Sequence, residues 1–373
     1  MHFYSLRIAG IVLSLKDYFA VMLQFFKKIA SILYGAGVRF RNFLYDNGVL
    51  SSEKFEIPIV CVGNITVGGT GKTPTTEMIV DSLCDDCHVA VLSRGYGRRT
   101  KGYREVRISD SYRDTGDEPL QIKMKFPDTV VVVCEKRAEG IRRIMAEHPE
   151  VEVIVMDDGF QHRSVTPLVN VVIIDSTRPV DEDSMLPYGS LRDTRSSLSR
   201  AHYFVVTKCG ADMKPIDRRL MRSKLLKTAN QKIYFMRSEA LPLRRVFPVD
   251  ADAEEMIPEP SRRQDEVIAM SGIGNPSVFL NDLAGRFKVV DELTFNDHHV
   301  YRIADLRALA AKLAEHPEAC VVMTEKDAVK LFNSDRIPAA LRDRMFYQPV
   351  RLEYLEDSEK DFLKNIYKDV RRN

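Results

Sequence analysis

Short apolar runs rich in β-branched residues alternate with amphipathic stretches of helix length along much of the chain. The first group of runs covers residues 57–62, 88–92, 129–134, 153–156, 169–174 and 203–207. Runs that are apolar at successive positions predict strands buried on both faces, as in a parallel sheet with helices on either side. The pattern therefore predicts an α/β fold whose ligands bind at the carboxyl ends of the strands.

A second, smaller α/β pattern begins after a polar, linker-like segment near residues 250–266. Its apolar runs cover residues 267–270, 287–290, 320–324 and 345–352. We therefore expect three parts, which are an N-terminal helical segment at 1–50, a first α/β domain at 51–250 and a smaller C-terminal α/β domain at 251–373.

The first fifty residues combine apolar stretches with isolated charges. Residues 8–15, 18–26 and 29–37 are largely apolar. Charged residues separate them, namely Lys16, Asp17, Lys27 and Lys28. Since no run reaches the ~18–20 residues needed to cross a bilayer, we expect no ordinary transmembrane helix. The mixture of aromatic, aliphatic and basic residues is typical of an amphipathic helix on a membrane surface, with a helix packed on the protein's own core as an equal alternative.

A glycine-rich segment from Gly63 to Thr73 follows the first apolar run and opens a helix-like stretch, which is the setting of a phosphate-binding P-loop. Glycines let backbone N–H groups curl round an anion, Lys72 can reach the outer phosphates, and Thr73 can ligate magnesium. Thr66 occupies a position where such loops normally have glycine. The alternative is a glycine-rich turn that binds nothing.

Two adjacent carboxylates, Asp157 and Asp158, end the apolar run 153–156, as in a Walker B strand. Magnesium prefers hard oxygen ligands and keeps several waters, so Thr73, one aspartate and the phosphate oxygens suffice to hold it. We predict Asp157 as a direct ligand and Asp158 as a ligand through a metal-bound water. Gln161 and His162 follow on the same loop, within reach of phosphate. An ordinary Asp-Asp-Gly turn is the alternative.

Three further segments carry candidate chemistry. The basic, glycine-broken stretch 93–104 suits a mobile flap over phosphates, or a solvated hairpin. Asp117 and Glu118 are two carboxylates at a loop and helix start. A carboxylate here either orients an acceptor hydroxyl or polarises a histidine that removes its proton, with helix capping by Asp117 as the alternative. Adjacent His298 and His299 are candidates for a base, for metal ligands or for surface polarity. Lys326 either contacts an anionic substrate or pairs with its neighbour Glu325.

The overall charge excludes one class of partner. The 373 residues include 55 Lys and Arg against 53 Asp and Glu, a formal charge of +2. Because the net charge is close to zero, it gives no reason to expect binding to nucleic acid, and any anion-binding site must arise locally. Nothing in the sequence indicates an obligate protein partner.

Taken together, these segments resemble the tetraacyldisaccharide 4'-kinase family, the lipid A 4'-kinases. The resemblance runs in order from about residue 34 to about residue 352, and Thr66 is the family's usual variant. The motifs that carry it are residues 62–74, 93–98, 116–119, 157–162, 272–276, 297–299 and 324–331. It implies a P-loop NTPase-like, mostly parallel sheet with a smaller C-terminal α/β domain.

The resemblance also implies an activity. In this family the γ-phosphate of ATP is transferred, with Mg²⁺, to the 4'-hydroxyl of tetraacyldisaccharide 1-phosphate, which forms lipid IVA at the cytosolic face of the inner membrane. Asp117 and His298 match the family's acceptor-activating pair, although His299 stays open as the partner, and Arg137 matches a basic residue near the phosphates. The expected ATP contacts are Asn64, Thr66, Val67, Gly68, Gly69, Thr70, Gly71, Lys72, Thr73, Gln161 and His162, and the expected magnesium ligands are Thr73, Asp157 and Asp158.

Two other functions compete with this one. The first is a P-loop kinase of a soluble metabolite, and the second is a nucleotide-dependent switch. The first twenty or so residues precede the family's usual start, so Met22 is an alternative initiation site.

Overall fold

The computed structural model describes residues 6–8, 11–13, 15–210, 212–247, 259–334, 337–356 and 358–372. The strands are, in chain order, β1 (Leu6–Ile8), β2 (Ile11–Leu13), β3 (Ile59–Gly63), β4 (Val89–Ser93), β5 (Arg104–Glu105), β6 (Val130–Val133), β7 (Val153–Met156), β8 (Val169–Asp175), β9 (Tyr203–Thr207), β10 (Lys232–Ala240), β11 (Arg244–Arg245), β12 (Glu266–Ser271), β13 (Lys288–Thr294), β14 (Cys320–Thr324), β15 (Met345–Gln348) and β16 (Val350–Tyr354). The helices are α1 (Leu15–Asp46), α2 (Lys72–Cys84), α3 (Tyr112–Thr115), α4 (Asp117–Lys125), α5 (Arg137–Glu147), α6 (Pro215–Leu225), α7 (Ser277–Arg286), α8 (Ile303–Glu315), α9 (Glu325–Leu331), α10 (Ala339–Arg342) and α11 (Phe362–Arg371).

The larger sheet has nine strands in the order β16-β10-β9-β8-β3-β7-β4-β6-β5. The seven inner strands run parallel, and the two edge strands β16 and β5 are antiparallel to their neighbours. All residues of β3, β4, β7 and β8 are buried, because helices cover both faces. The predicted mostly parallel α/β sheet is therefore confirmed. We call this sheet with α2 to α6 and α11 the first lobe.

The smaller sheet has five strands in the order β11-β15-β14-β12-β13. Its strands are parallel except for β11, which is antiparallel to β15. We call this sheet with α7 to α10 the second lobe. Helix α9 of the second lobe packs against α4 of the first lobe, so the two sheets meet through a pair of helices.

One predicted strand, residues 345–352, divides between the two sheets. It breaks at Pro349, which has no N–H to donate to a ladder, and the chain passes from β15 in the second lobe to β16 in the first. Helix α11 then buries Phe362, Ile366 and Val370 in the core of the first lobe. Residues 350–371 thus pair and pack with the larger sheet, whereas the predicted third part took in all of 251–373. The predicted boundary near residue 250 lies outside the described residues.

The N-terminal apolar runs form one continuous helix, α1, of 32 residues. The segment Phe19–Asp46 has 28 residues, and an 18-residue window within it has a mean hydropathy of 1.3, so by length and composition alone it is able to cross a membrane. The charged residues lie within this continuous helix, and the expectation that it is no ordinary transmembrane helix stays a prediction. One narrow stripe of α1 is buried, formed by Ser31, Gly35, Val38 and Asn42. The large apolar side chains that α1 exposes include Phe19, Phe25, Phe26, Ile32, Leu33, Phe40 and Phe43.

Candidate active site

The glycine-rich loop joins β3 to α2 with the geometry that an anion requires. Gly71, directly before the first residue of α2, has φ of 90°, a left-handed conformation that glycine adopts without strain. The Asn64 amide donates to the Thr70 hydroxyl at 2.6 Å, and the Thr207 hydroxyl donates to the Thr70 carbonyl at 2.6 Å. The loop is thereby held in place, with Lys72 at the amino end of α2.

The unusual threonine of this loop has a structural explanation. Thr66 is buried and forms an antiparallel β-bridge with Leu191, so its backbone is extended. Threonine adopts that conformation readily, and no glycine is needed at this position. The neighbouring Val67 amide donates to the carbonyl of Ser190 at 2.9 Å. The loop after β8 therefore supports the entire first half of the P-loop.

Asp157 follows β7 and lies beneath the loop. Its carboxylate is 1% exposed and accepts hydrogen bonds from the hydroxyls of Thr76 and Ser93, each at 3.2 Å. Burial, together with the nearby charges of Glu118 and Asp158, raises the pKa of Asp157 to about 6. The carboxylate thus sits where a neighbouring cation would stabilise its charged form.

Asp158 has a left-handed backbone, with φ of 47°, and its carboxylate faces two cations. Lys72 Nζ lies 3.9 Å from Asp158 Oδ1, and the Arg192 guanidinium donates to both Asp158 oxygens. Burial would raise the pKa of Asp158, but Lys72 and Arg192 outweigh it and hold that pKa below its usual range. Arg192 also donates to the side-chain oxygen of Asn64, which links the P-loop to the aspartate pair.

A carboxylate and a histidine meet where the two lobes come together. Asp117 is the first residue of α4 in the first lobe, and His298 lies between β13 and α8 in the second. Asp117 Oδ2 is 2.9 Å from His298 Nδ1, while Asp117 Oδ1 accepts the backbone N–H of Glu118 at 3.0 Å. Burial would raise the pKa of Asp117, but the hydrogen bond from His298 and the charge of Lys326 lower it to about 2.

The neighbouring histidine faces another carboxylate. His299 Nε2 lies 3.0 Å from Asp305 Oδ2, within the second lobe. Of the two histidines left open by the sequence, His298 is therefore the one beside Asp117. The second lobe also approaches the P-loop, since a Cβ built on Gly274 would lie 3.9 Å from the Gly69 amide nitrogen.

Two cavities flank this arrangement. The larger, of about 480 Å³, opens between α1 and the aspartate pair and is lined by Tyr34, Gly37, Val38, Arg41, Arg94, Asp158, Gln161, His162 and Arg192. The smaller, of about 90 Å³, lies beside the Asp117–His298 pair and is lined by Tyr96, Gly97, Arg99, Tyr112, Arg113, Asp117, His298 and Val300. Both linings are rich in arginine, which suits an anionic ligand.

Comparison with known proteins shows what this arrangement is similar to. Residues 23–370 match the family model described as LpxK, tetraacyldisaccharide-1-P 4'-kinase. The tetraacyldisaccharide 4'-kinase of Bacteroides fragilis (strain YCH46) is 38% identical over 347 residues, which is 92% of each chain. That of Porphyromonas gingivalis (strain W83) is 39% identical over 346 residues, 91% of this chain and 95% of the relative.

The chain belongs to the tetraacyldisaccharide 4'-kinase family. Its fold also matches a crystal structure of LpxK from Aquifex aeolicus in complex with ATP, with a TM-score of 0.71 and 27% identity over 93% of this chain and 99% of that one. The predicted family, fold class and kinase activity are confirmed by these matches.

Several side chains predicted for this family site lie together around the loop. Gln161 donates through its amide to the Asn64 carbonyl. His162 lines the larger cavity, and burial together with the charge of Arg137 lowers the pKa of its imidazole to about 4, so that it is neutral at physiological pH. It can therefore offer a hydrogen bond but no charge to a phosphate.

Arg137, predicted as a basic side chain near the phosphates, packs against the loop of Asp157. It is 1% exposed, and its guanidinium donates to the backbone carbonyls of Cys134 at 2.7 Å and Asp157 at 3.0 Å. Burial lowers the pKa of Arg137 to about 10. The guanidinium therefore lies behind Asp157 and fixes the loop that carries it.

Arg98 partly fixes the conformation of the basic stretch after β4. Arg98 donates to Glu135 Oε1 at 2.7 Å and to the carbonyl of Gly102, and only 2% of its side chain is exposed. It therefore stabilises the turn rather than facing the cavity. Arg94 lines the larger cavity, and Arg99 lines the smaller one.

Sequence reasoning missed Arg192 in the family site. A signal for Arg192 existed, since it follows β8, which pairs directly with the P-loop strand β3. The loops after adjacent parallel strands lie side by side, so a basic residue there was a candidate. Glu118 is the second carboxylate of the pair at residues 117 and 118, and its contact with Lys326 of the other lobe depends on the packing of the lobes.

Proposed function

We propose that this protein transfers the γ-phosphate of ATP to the 4'-hydroxyl of tetraacyldisaccharide 1-phosphate and so forms lipid IVA in lipid A biosynthesis. The single observation that carries the proposal is the Asp117–His298 pair, built from both lobes at 2.9 Å beside a P-loop. The relatives named above carry this activity in their names, and the LpxK of Aquifex aeolicus was crystallised with ATP.

The P-loop would hold the ATP phosphates. Backbone N–H groups from Gly68 to Thr73 and the amino end of α2 attract the anion, and Lys72 supplies a cation for the outer phosphates. Arg192 donates to the same Asp158 carboxylate that Lys72 faces and brings a second positive group. Phosphoryl transfer depends mainly on such positioning and charge neutralisation.

Thr73, Asp157 and Asp158 fit a magnesium ion. They offer a hydroxyl and two carboxylates, the hard oxygens that this ion prefers. The raised pKa of Asp157, caused by burial and by the charges of Glu118 and Asp158, is the sign of a site where a cation would relieve repulsion. Bound there, Mg²⁺ would neutralise charge on the transferring phosphate. Arg137 is a positioning residue in this proposal, since it fixes the loop of Asp157 through the backbone.

The Asp117–His298 pair would activate the acceptor. Asp117 accepts a hydrogen bond from the Nδ1–H of His298, which leaves the Nε2 lone pair to take the proton of the 4'-hydroxyl. The hydroxyl oxygen then bonds to the γ-phosphorus, and the bond from that phosphorus to the β,γ-bridging oxygen breaks to release ADP. His298 supplies the base, and Asp117 fixes its tautomer and orientation.

Helix α1 would hold the protein on the cytoplasmic face of the inner membrane, where ATP is present. From Ser31 onward the helix is bound to the first lobe, with the Ser31 hydroxyl donating to the Met185 carbonyl at 2.6 Å and the Asn42 amide donating to Asp193 at 2.9 Å. Within α1, residues 15–30 extend beyond this contact, and they rise about 24 Å, less than the ~30 Å of hydrocarbon. The exposed Phe19, Phe25 and Phe26 suit a helix that enters the membrane without crossing it.

The proposal is tested by following labelled phosphate from ATP with the purified protein and magnesium. Three reactions are compared, which contain tetraacyldisaccharide 1-phosphate in detergent, a soluble glucosamine sugar or no acceptor. We expect label in the lipid alone. Label in the soluble sugar alone would identify a metabolite kinase, and slow hydrolysis without any labelled acceptor would identify a nucleotide-dependent switch.

A further inference from the structure

We propose that Lys326 is a positioning residue that joins the two lobes across the Asp117–His298 pair and favours the imidazole tautomer with its lone pair on Nε2. The inference rests on the general-base role of His298 proposed above. It assigns a function to a lysine for which the sequence left two options, contact with an anionic substrate or pairing with Glu325. Glu325 instead has its Oε2 atom 3.7 Å from Lys125.

The Lys326 ammonium bridges carboxylates of both lobes. It lies at the start of α9 in the second lobe, with 17% of its side chain exposed. Its Nζ is 3.2 Å from Glu118 Oε1 and 3.8 Å from Asp117 Oδ2, both on α4 of the first lobe. It is also 3.3 Å from Asp297 Oδ1 in the loop that carries His298. The Lys326 ammonium thus connects α4, which carries Asp117, to the loop that carries His298.

The same ammonium faces the reactive nitrogen of the histidine. Lys326 Nζ lies 3.4 Å from His298 Nε2. A lysine ammonium has hydrogens to donate and no lone pair, so this contact favours the tautomer with the lone pair on Nε2 and the proton on Nδ1. That proton is the one donated to Asp117. A protonated imidazole would put two positive charges 3.4 Å apart, so Lys326 opposes protonation until the acceptor hydroxyl arrives.

The charges around His298 come from several elements. Asp117 on α4 is in contact with Nδ1, Lys326 on α9 faces Nε2, and Asp297 on the same loop has Oδ2 3.8 Å from Nε2. The ring of Tyr96, from the basic stretch after β4, lies 4.9 Å from the imidazole, centroid to centroid.

A second lysine keeps Asp117 ionised. Lys330 is 6% exposed, with Nζ 2.9 Å from Asp327 Oδ1 and 3.9 Å from Asp117 Oδ2. Asp117 therefore stays a carboxylate near neutral pH whether or not Lys326 is present.

Removing Lys326 would leave the negative charges beside His298 without their principal counter-ion. Protonation of the imidazole would then become easier, and the base would be blocked at higher pH.

The experiment measures kcat against pH, from about pH 5 to 9, for Lys326→Met and Lys326→Arg. In Lys326→Met we expect the acidic limb of the profile to move up by about 1–2 pH units and kcat at pH 7 to fall about tenfold or more, with little change in the KM for ATP. Lys326→Arg keeps the charge and should restore the wild-type limb. Lys288→Met is the matched control, because that exposed lysine pairs with Glu266 on the far strands of the second lobe and should leave the profile unchanged.

A second measurement protects the test against a simple loss of folding. The ¹⁵N shifts of labelled histidine report the tautomer, and we expect His298 to carry its proton on Nδ1 in the wild type at neutral pH. Lys326→Gln replaces Lys326→Met if the latter does not fold.

Two outcomes would overturn the proposal. A rate lowered equally at all pH values, without rescue by arginine, would make Lys326 purely structural, and a proton on Nε2 in the wild type would exclude the proposed tautomer. If His298→Ala loses its rate while the acidic limb of Lys326→Met does not move, only the role of Lys326 fails. If His298→Ala keeps most of the wild-type rate, the general-base role fails and the role of Lys326 fails with it.

Discussion

Replacing Asp117 with asparagine tests the inter-lobe pair more sharply than any other single change. Asp117→Asn keeps the size of the side chain and an oxygen able to accept the Nδ1 proton of His298, but removes the negative charge. It therefore imitates a protonated Asp117. Its effects on catalysis and on stability follow from the same contacts.

The size of the stability effect comes from the pKa of Asp117. Burial would raise it, but the hydrogen bond from His298 and the charge of Lys326 lower it from 3.8 to about 2. A difference of nearly two pH units corresponds to about 2 kcal/mol. Because the pKa is lower in the folded state, this stabilisation is complete above about pH 4 and is lost as the pH falls toward 2. Asp117→Asn lacks it at all pH values and should melt a few degrees lower at pH 7.

The catalytic effect should be larger. Without the carboxylate, His298 loses the group that stabilises its charged form, and we expect kcat to fall about 100-fold with little change in the KM for ATP. The matched control is Asp305→Asn, which alters the pair that Asp305 forms with the adjacent His299 at 3.0 Å, and it should keep kcat within about twofold of the wild type. Equal losses in both variants, or a loss confined to ATP binding in Asp117→Asn, would refute the role of the pair.

The remaining predictions concern ATP, magnesium and the membrane. Lys72→Ala should lower kcat by about 10³-fold or more, measured by labelled phosphate transfer, because it removes the cation for the outer phosphates, and a near-normal rate would contradict the P-loop assignment. Asp157→Ala should nearly abolish turnover at all magnesium concentrations, and recovery in excess magnesium would argue against direct ligation. Deleting residues 1–21 should leave activity on detergent-dispersed substrate intact, whereas deleting residues 1–41 should reduce sedimentation with liposomes. Unchanged sedimentation after the longer deletion would exclude α1 as the membrane contact.

Much of the first sheet was predictable because its strands are short, β-branched and buried on both faces. The predicted runs 153–156 and 203–207 coincide with β7 and β9. The run 345–352 was different, since the apolar pattern continues across Pro349 while the chain changes sheets there. Which sheet a strand joins depends on pairing with distant residues, and local periodicity carries no information about that.

The two parts of the candidate site, the P-loop with its aspartate pair and the Asp117–His298 pair, also differ in how far the sequence predicts them. The P-loop and the aspartate pair could be predicted because their residues are close in sequence and their spacing carries the geometry. The choice between His298 and His299 could not, since both occupy one loop and the packing of the lobes decides which faces Asp117. His298 has a left-handed backbone, with φ of 57°, and contacts Asp117, while its neighbour contacts Asp305. The continuity of helix α1 could not be predicted from its apolar runs, because charges interrupt the apolar pattern without interrupting the helix.

The position of the transferred phosphate tests the central claim most directly. The lipid formed from ATP and tetraacyldisaccharide 1-phosphate is isolated and studied by two-dimensional ¹H–³¹P NMR. A second phosphorus coupled to the proton on the 4' carbon, formed by the wild type and nearly absent with His298→Ala, is the predicted result. A phosphorus at another position, or equal yields of the 4' product from both proteins, would contradict it.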